Sequence, residues 1–287
     1  MISGPGAGRG RSSERPGRVD PAVHAVVGRV VAPLVRRLWP ADLQGLENLP
    51  DHGRYLVVAN HSGLGSAELL SLLVQWTDRF GDTRPLAGMA HRAGFEVPPL
   101  RQLLQGYGAV EATRAGAAWA RAHETPLLVF PGGDAEAMRP AWRAGDVDFF
   151  GRCGWIRLAR EHGLDLVPLC ISNSHHTIPT LPVPGRLVAQ ALGLGLLGAP
   201  RAPLPIHAAL LGMLAGRALH RRAVPWPLAL AGALATFHMT TMIPVVPAQI
   251  GFDFLPTIRR DELDAPDHVV YERVVGALQS ALDRRRS

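Results

Sequence analysis

Apolar residues in this chain gather into two kinds of segment that alternate. Short runs bounded by glycine, proline or acidic residues predict strands at 54–59, 86–90, 127–130, 165–171 and 249–254. Between and after them, apolar positions recur at helical spacing over 68–76, 98–105, 113–123, 152–162 and 266–284. This alternation predicts an α/β fold: a mixed, largely parallel sheet flanked by helices. Upstream, Val23, Val26, Val27, Val30, Val31, Leu34 and Leu38 share one side of an amphipathic helix predicted between Pro21 and Trp39, with Arg29, Arg36 and Arg37 interleaved. Pro33 is expected to kink or divide it. A basic helix of this kind either lies on a membrane or packs on its own domain, and the pattern leaves both readings open.

The pattern changes near residue 187. Residues 187–199, 202–216 and 223–250 carry almost no charge in a chain otherwise rich in arginine. Pro225, Pro227, Pro244 and Pro247 interrupt the last stretch. Its unbroken apolar part, 228–237, falls short of the roughly 20 residues a spanning helix needs. Apolar membrane-associating helices that dip into one leaflet or line an acyl-chain groove are the preferred reading; a buried core and a true span are the alternatives. The expected organisation is a disordered tail over 1–20, an amphipathic N-terminal helical segment over 21–44, and one domain over 45–287 with an apolar insertion at about 187–247. The tail has no apolar centre, so it does not read as a signal peptide.

Net charge is +6, and all 30 basic residues are arginine. They are scattered, without zinc-finger spacing or an aromatic RNA-binding strand, which argues against nucleic acid and for an anionic membrane surface as partner. Cys153 and Cys170 cannot build a disulfide framework, and no CxxC occurs, so a reducing cytoplasm is compatible.

The segment 56–68, LVVANHSGLGSAE, concentrates the candidate chemistry. It carries His61 off the end of an apolar strand and Glu68 into the following helix. An imidazole so mounted can accept the proton of an attacking hydroxyl, and a carboxylate on its other nitrogen fixes the tautomer. Seven residues of continuous helix would hold the two too far apart, but Gly63 and Gly65 permit a turn that folds the glutamate back. The strand end at 127–136, LLVFPGGDAE, repeats the arrangement. No G-x-S-x-G occurs, so Ser62 and Ser66 read as turn residues or hydrogen-bond donors. His175-His176 lack metal-ligand spacing, and no metal or redox cofactor is expected.

Four blocks, VVANHSG, GAVEATR at 108–114, LLVFPGGDAEA at 127–137 and GWIRLAREHGLDLVPL at 154–169, together with GLENLP at 45–50, resemble the glycerolipid acyltransferases in order and spacing. The branch containing monoacylglycerol and diacylglycerol acyltransferase-like proteins is the nearest in look. The resemblance implies an O-acyltransferase that moves a fatty-acyl group from acyl-CoA or an acyl-carrier protein to a lipid hydroxyl at the cytoplasmic face of a membrane, held peripherally or monotopically. It also implies His61 as catalytic base, oriented by Glu68. Substrate-binding roles fall to Asn60, Ser62, Gly63, Arg114, Gly132, Gly133 and Glu136, while Val167 and Pro168 are structural. Many relatives have an aspartate where this chain has Ser66. A glutamate and an arginine common in the third block are Gly132 and Ala135 here. With Glu111 and Asp134 nearby in sequence, those losses favour a neutral alcohol as acceptor. A lipid hydrolase or a catalytically silent lipid-binding member is the alternative.

Overall fold

The computed structural model describes residues 20–64, 66–81, 83–90, 95, 101, 104–139, 141–191 and 201–286. The expected tail therefore lies outside the described residues, as do most of the predicted helix at 98–105 and the stretch 192–200. Among the described residues seven strands form one sheet, ordered β1-β7-β6-β2-β5-β3-β4. They are β1 (Ala41–Gln44), β2 (Tyr55–Ala59), β3 (Ala87–Ala90), β4 (Val110–Glu111), β5 (Leu127–Val129), β6 (Asp165–Ser172) and β7 (Ile250–Phe254). Strands β6, β2, β5, β3 and β4 are mutually parallel; β7 runs antiparallel to β6 and parallel to β1. The expected mixed, largely parallel sheet is what forms.

Every residue of β2 is buried, because helices cover both faces of this central strand and leave no polar side. Its side chains divide by the two-residue period of a strand. Leu56 and Val58 point into a core shared with α3 (Arg114–Ala122), α5 (Gly154–His162) and α9 (Asp267–Arg286). Tyr55, Val57 and Ala59 point into the opposite core, closed by α1 (Pro21–Leu38) and α2 (Ser66–Phe80).

Helix α1 packs part of its apolar side on its own domain. Ala32, Val35 and the following Trp39 are buried with Leu72 and Trp76 of α2, and Arg36 grips Asp78 with two 2.7 Å hydrogen bonds. Val26, Val30 and Leu34 remain exposed. Pro33 lies inside the helix without dividing it.

The helix ends at Leu38. Residues 41–44, assigned by sequence to the N-terminal helical segment, are instead β1. The polar sequence ADLQ hides an edge strand whose stability comes from elsewhere: Asp42 of β1 and Asp253 of β7 converge on Arg285 of α9.

Between β6 and β7 the chain makes a long apolar excursion containing α6 (Gly185–Ala191), α7 (Ile206–Arg221) and α8 (Trp226–Thr240). Helices α7 and α8 form a hairpin packed through small residues. A Cβ on Gly212 would meet the Ala233 carbonyl at 2.9 Å, so glycine there sets how closely the helices approach. Their outer faces stay uncovered: Trp226 is 71% and Met239 80% exposed. Among the described residues no helix is long and apolar enough to cross a membrane.

Candidate active site

The carboxyl ends of β2, β5 and β6 lie side by side at the centre of the sheet, where open α/β folds build their sites. Asn60, the first residue past β2, spends its amide on structure: Nδ2 donates to the Ile171 carbonyl at 2.9 Å, and Oδ1 accepts from the Ile171 N–H at 2.8 Å. This extends the β2–β6 pairing by one side chain and aims the next residue, His61, out of the sheet.

Residues 61–64 form a turn rather than helix, and α2 begins only at Ser66. Glu68 therefore sits in the first helical turn and reaches back. Its Oε1 lies 2.7 Å from His61 Nδ1. Its Oε2 accepts the Ser62 N–H at 3.1 Å and the Ser174 hydroxyl at 2.5 Å. The carboxylate is completely buried, while the imidazole keeps 13% of its surface. A buried carboxylate with both oxygens engaged cannot turn away from its histidine. It makes Nδ1 the protonated nitrogen and leaves Nε2 as acceptor. One face of the ring stacks on Phe130 from the end of β5, centroid to centroid 4.2 Å.

A second carboxylate holds the backbone of the same residue. Glu136, on the short helix α4 (Gly133–Ala137), accepts the His61 N–H at 2.9 Å. Arg139 completes the clamp, donating to Glu136 at 3.1 Å and to the His61 carbonyl at 2.7 Å. Burial pushes the Glu136 carboxyl above the usual glutamate range, opposed in part by the His61 N–H and Arg139. Gly132 is required here, since a Cβ would lie 2.2 Å from Glu136 Oε2, and Gly133 adopts a left-handed φ of 53°.

Of the residues anticipated from sequence, His61, Glu68, Asn60, Ser62, Gly63, Gly132, Gly133 and Glu136 come together. Arg114 does not join them. It is 82% exposed, pairs with Glu161 at 3.5 Å, and lines a separate groove of about 470 Å³ that Phe130 also lines. Sequence reasoning missed Arg139 and Ser174. The i,i+3 spacing of Glu136 and Arg139 was a signal for the first; nothing local marks Ser174, which reaches Glu68 across 106 residues. Among the described residues no three metal-ligating side chains cluster.

Gly63 fixes the spacing of the turn against the residues after β6. A Cβ there would lie 2.9 Å from the His175 nitrogen and 2.9 Å from the Ser174 carbonyl carbon, both rigid backbone. Gly63→Ala is expected to push Ser174 off Glu68 and cost about 1–3 kcal/mol of stability. Unfolding in urea reads that cost, and an unchanged midpoint would show that the turn yields freely.

Residues 41–172 match the family described as Acyltransferase. The uncharacterized protein Rv0502 of Mycobacterium tuberculosis is 28% identical over 169 residues, covering 58% of this chain and 47% of its own length. The uncharacterized protein ML2427 of Mycobacterium leprae is 26% identical over 169 residues, covering 58% and 46%. The chain thus spans about half the length of these relatives. A solved structure, the 1-acyl-sn-glycerophosphate (LPA) acyltransferase PlsC from Thermotoga maritima, aligns with 91% of this chain and 82% of its own at 13% identity and a TM-score of 0.49.

Proposed function

We propose, from the match of residues 41–172 to the family described as Acyltransferase, that the protein moves a fatty-acyl group from an acyl thioester, carried by coenzyme A or an acyl-carrier protein, to a lipid hydroxyl. The observation that carries the proposal is the 2.7 Å contact between His61 Nδ1 and the buried, fully engaged Glu68. In this reading the acceptor O–H gives its proton to His61 Nε2 as its oxygen attacks the thioester carbonyl. The tetrahedral intermediate collapses, the C–S bond breaks, and the departing thiolate takes the proton back from the imidazolium. Glu68 stabilises that imidazolium and touches no substrate. Asn60, Glu136 and Arg139 keep the histidine backbone in place through the hydrogen bonds described above. The test is mass spectrometry of products formed from long-chain acyl-CoA with a panel of glycerolipid, lysophospholipid and long-chain alcohol acceptors. A new ester that disappears in His61→Ala supports acyl transfer. Free fatty acid alone in the presence of good acceptors would instead make the protein a hydrolase.

We further place the protein at the cytoplasmic face of a membrane, held by the outer faces of α7 and α8. Trp226, Leu228, Met213, Leu214 and Met239 are exposed there. Arg217, Arg221 and Arg222 at the end of α7 supply positive charge suited to anionic headgroups. Burying such side chains in a bilayer interface returns about 1.5–3 kcal/mol each when burial is complete. Trp226→Glu combined with Met239→Glu is therefore expected to lower partition into anionic vesicles at least about 10-fold, read by co-sedimentation. Undiminished partition would show that another surface makes the contact.

A further inference from the structure

We propose that the cavity beside the His61–Glu68 pair binds the phosphate of a single-chain amphiphile through Arg186 and Arg201, two residues beyond the matched family segment. This rests on the acyl-transfer reading and specifies which group is recognised behind the turn that carries His61; Ser62 and Gly63 of that turn line the cavity, and the His61 and Glu68 side chains do not.

The cavity holds about 240 Å³ and is walled by Ser62, Gly63, Arg139 and His175 on the side of the pair. Its far wall is built by two lengths of chain that run against each other. The bridge Thr180↔Pro205, the Leu181 N–H bonded to Leu204 and the Ala202 N–H bonded to the Gly185 carbonyl at 3.0 Å fix that pairing. Gly185 admits no side chain without crowding, since a Cβ would meet the Ala202 carbonyl at 3.0 Å. Arg186 and Arg201 each stand one residue from this clamp, and both line the cavity.

Among the described residues neither guanidinium has an ionic or hydrogen-bonded partner. The connecting stretch 192–200 contains no acidic residue. Asp146 and Asp148 also line the cavity, but both are engaged: Asp146 by Arg143 at 2.8 Å, and Asp148 by the Phe150 N–H at 2.7 Å. Two unpaired arginine forks on one cavity wall are a matched set of donors for a phosphate. Glu111 and Asp134, whose charges favoured a neutral acceptor on sequence grounds, do not line this cavity; Asp134 lies 3.9 Å from Arg152.

The chain of the ligand has a place as well. Val183 and Leu204 form a wall common to this cavity and to an apolar one of about 440 Å³ between α6, α7 and α8. In α6, Arg186 faces the first cavity while Leu187 and Val188 line the second. A charged head at the arginines and an alkyl chain between the helices describe one amphiphile crossing that shared wall. The phosphate could belong to a phosphorylated acceptor or to the coenzyme of the donor, and the two are separable by experiment.

The test is equilibrium binding to the full chain of three probes: a monoacylglycerol, its phosphate ester of the same chain length, and a long-chain acyl-CoA. At least one phosphate-bearing probe is expected to bind roughly 10-fold or more tighter than the monoacylglycerol. In Arg186→Ala/Arg201→Ala that advantage is expected to shrink to about 2-fold, with binding of the monoacylglycerol itself unchanged. Arg186→Lys/Arg201→Lys, which keeps the charge but not the fork, should fall between. Loss confined to the glycerol phosphate assigns the site to the acceptor, and loss confined to acyl-CoA assigns it to the donor. No phosphate preference in the parent chain, or a preference that survives the double alanine variant, overturns the proposal. Because these readouts need no turnover, they stand apart from the ester-forming assay, whose failure would count against acyl transfer and not against this site.

Discussion

His61→Ala is expected to fold as the parent chain does and to form ester about 10²–10⁴-fold more slowly. The imidazole is the group lost, and the backbone contacts that build the turn are not. The His61 N–H still reaches Glu136, and its carbonyl still accepts from Arg139. Glu68→Gln should fall in the same range. An amide cannot accept from Ser62 and Ser174 while also accepting from His61 Nδ1 with full charge, so the wrong tautomer is admitted and the imidazolium loses its counter-charge. Initial rates of ester formation, with circular dichroism to confirm the fold, check both. A folded His61→Ala protein with near-parental rate would remove the general-base mechanism.

The largest loss of stability is expected from Arg139→Met. Its partner Glu136 is fully buried, and Arg139 itself keeps 8% of its surface. Removing one member of such a pair strands the other charge, at a cost of about 3–5 kcal/mol. The loss should depend on pH in a particular direction. Burial already holds the Glu136 carboxyl above its usual range, and losing the guanidinium raises it further. A group whose folded pKa exceeds its unfolded value binds its proton more tightly when folded. Its contribution is complete in acid and is lost as pH rises through the folded value. Urea midpoints of the variant and the parent should therefore differ least near pH 4 and most near about pH 8. A difference that is constant or largest in acid would mean that Glu136 is not the stranded group.

How far the sequence disclosed this site depends on how each contact is encoded. The strands β2, β5 and β6 are dense apolar runs, and their assignment needed only periodicity. Strand β1 is four partly polar residues, held by pairing to β7 and by an arginine at the opposite end of the chain, so no local pattern could announce it. Strand β4 has two residues and exists only as a partner of β3. The His61–Glu68 contact lay just within reach of sequence reasoning, because two glycines hinted at a turn where helix geometry would have forbidden contact. Ser174 was beyond it: a hydroxyl that meets Glu68 only after the whole sheet is assembled leaves no trace in spacing. Arg114, given its role by position in a motif, stands in a neighbouring groove that also takes in Phe130, Pro131 and Arg152, and Arg152 in turn donates to the Gly132 carbonyl.

The pairing of Ser172 with Gly251 in the β6–β7 ladder has a consequence for how such a protein can diversify. The chain leaves the sheet after Ser172 and rejoins it beside that position at β7, so the ends of the excursion are already closed by strand pairing whatever its length. Lengthening such a loop costs only a slowly growing entropy. The histidine turn, the strands beneath it and Ser174, which holds Glu68, can stay fixed while the rest of this excursion, with its apolar hairpin and its two arginines, is exchanged as a cassette.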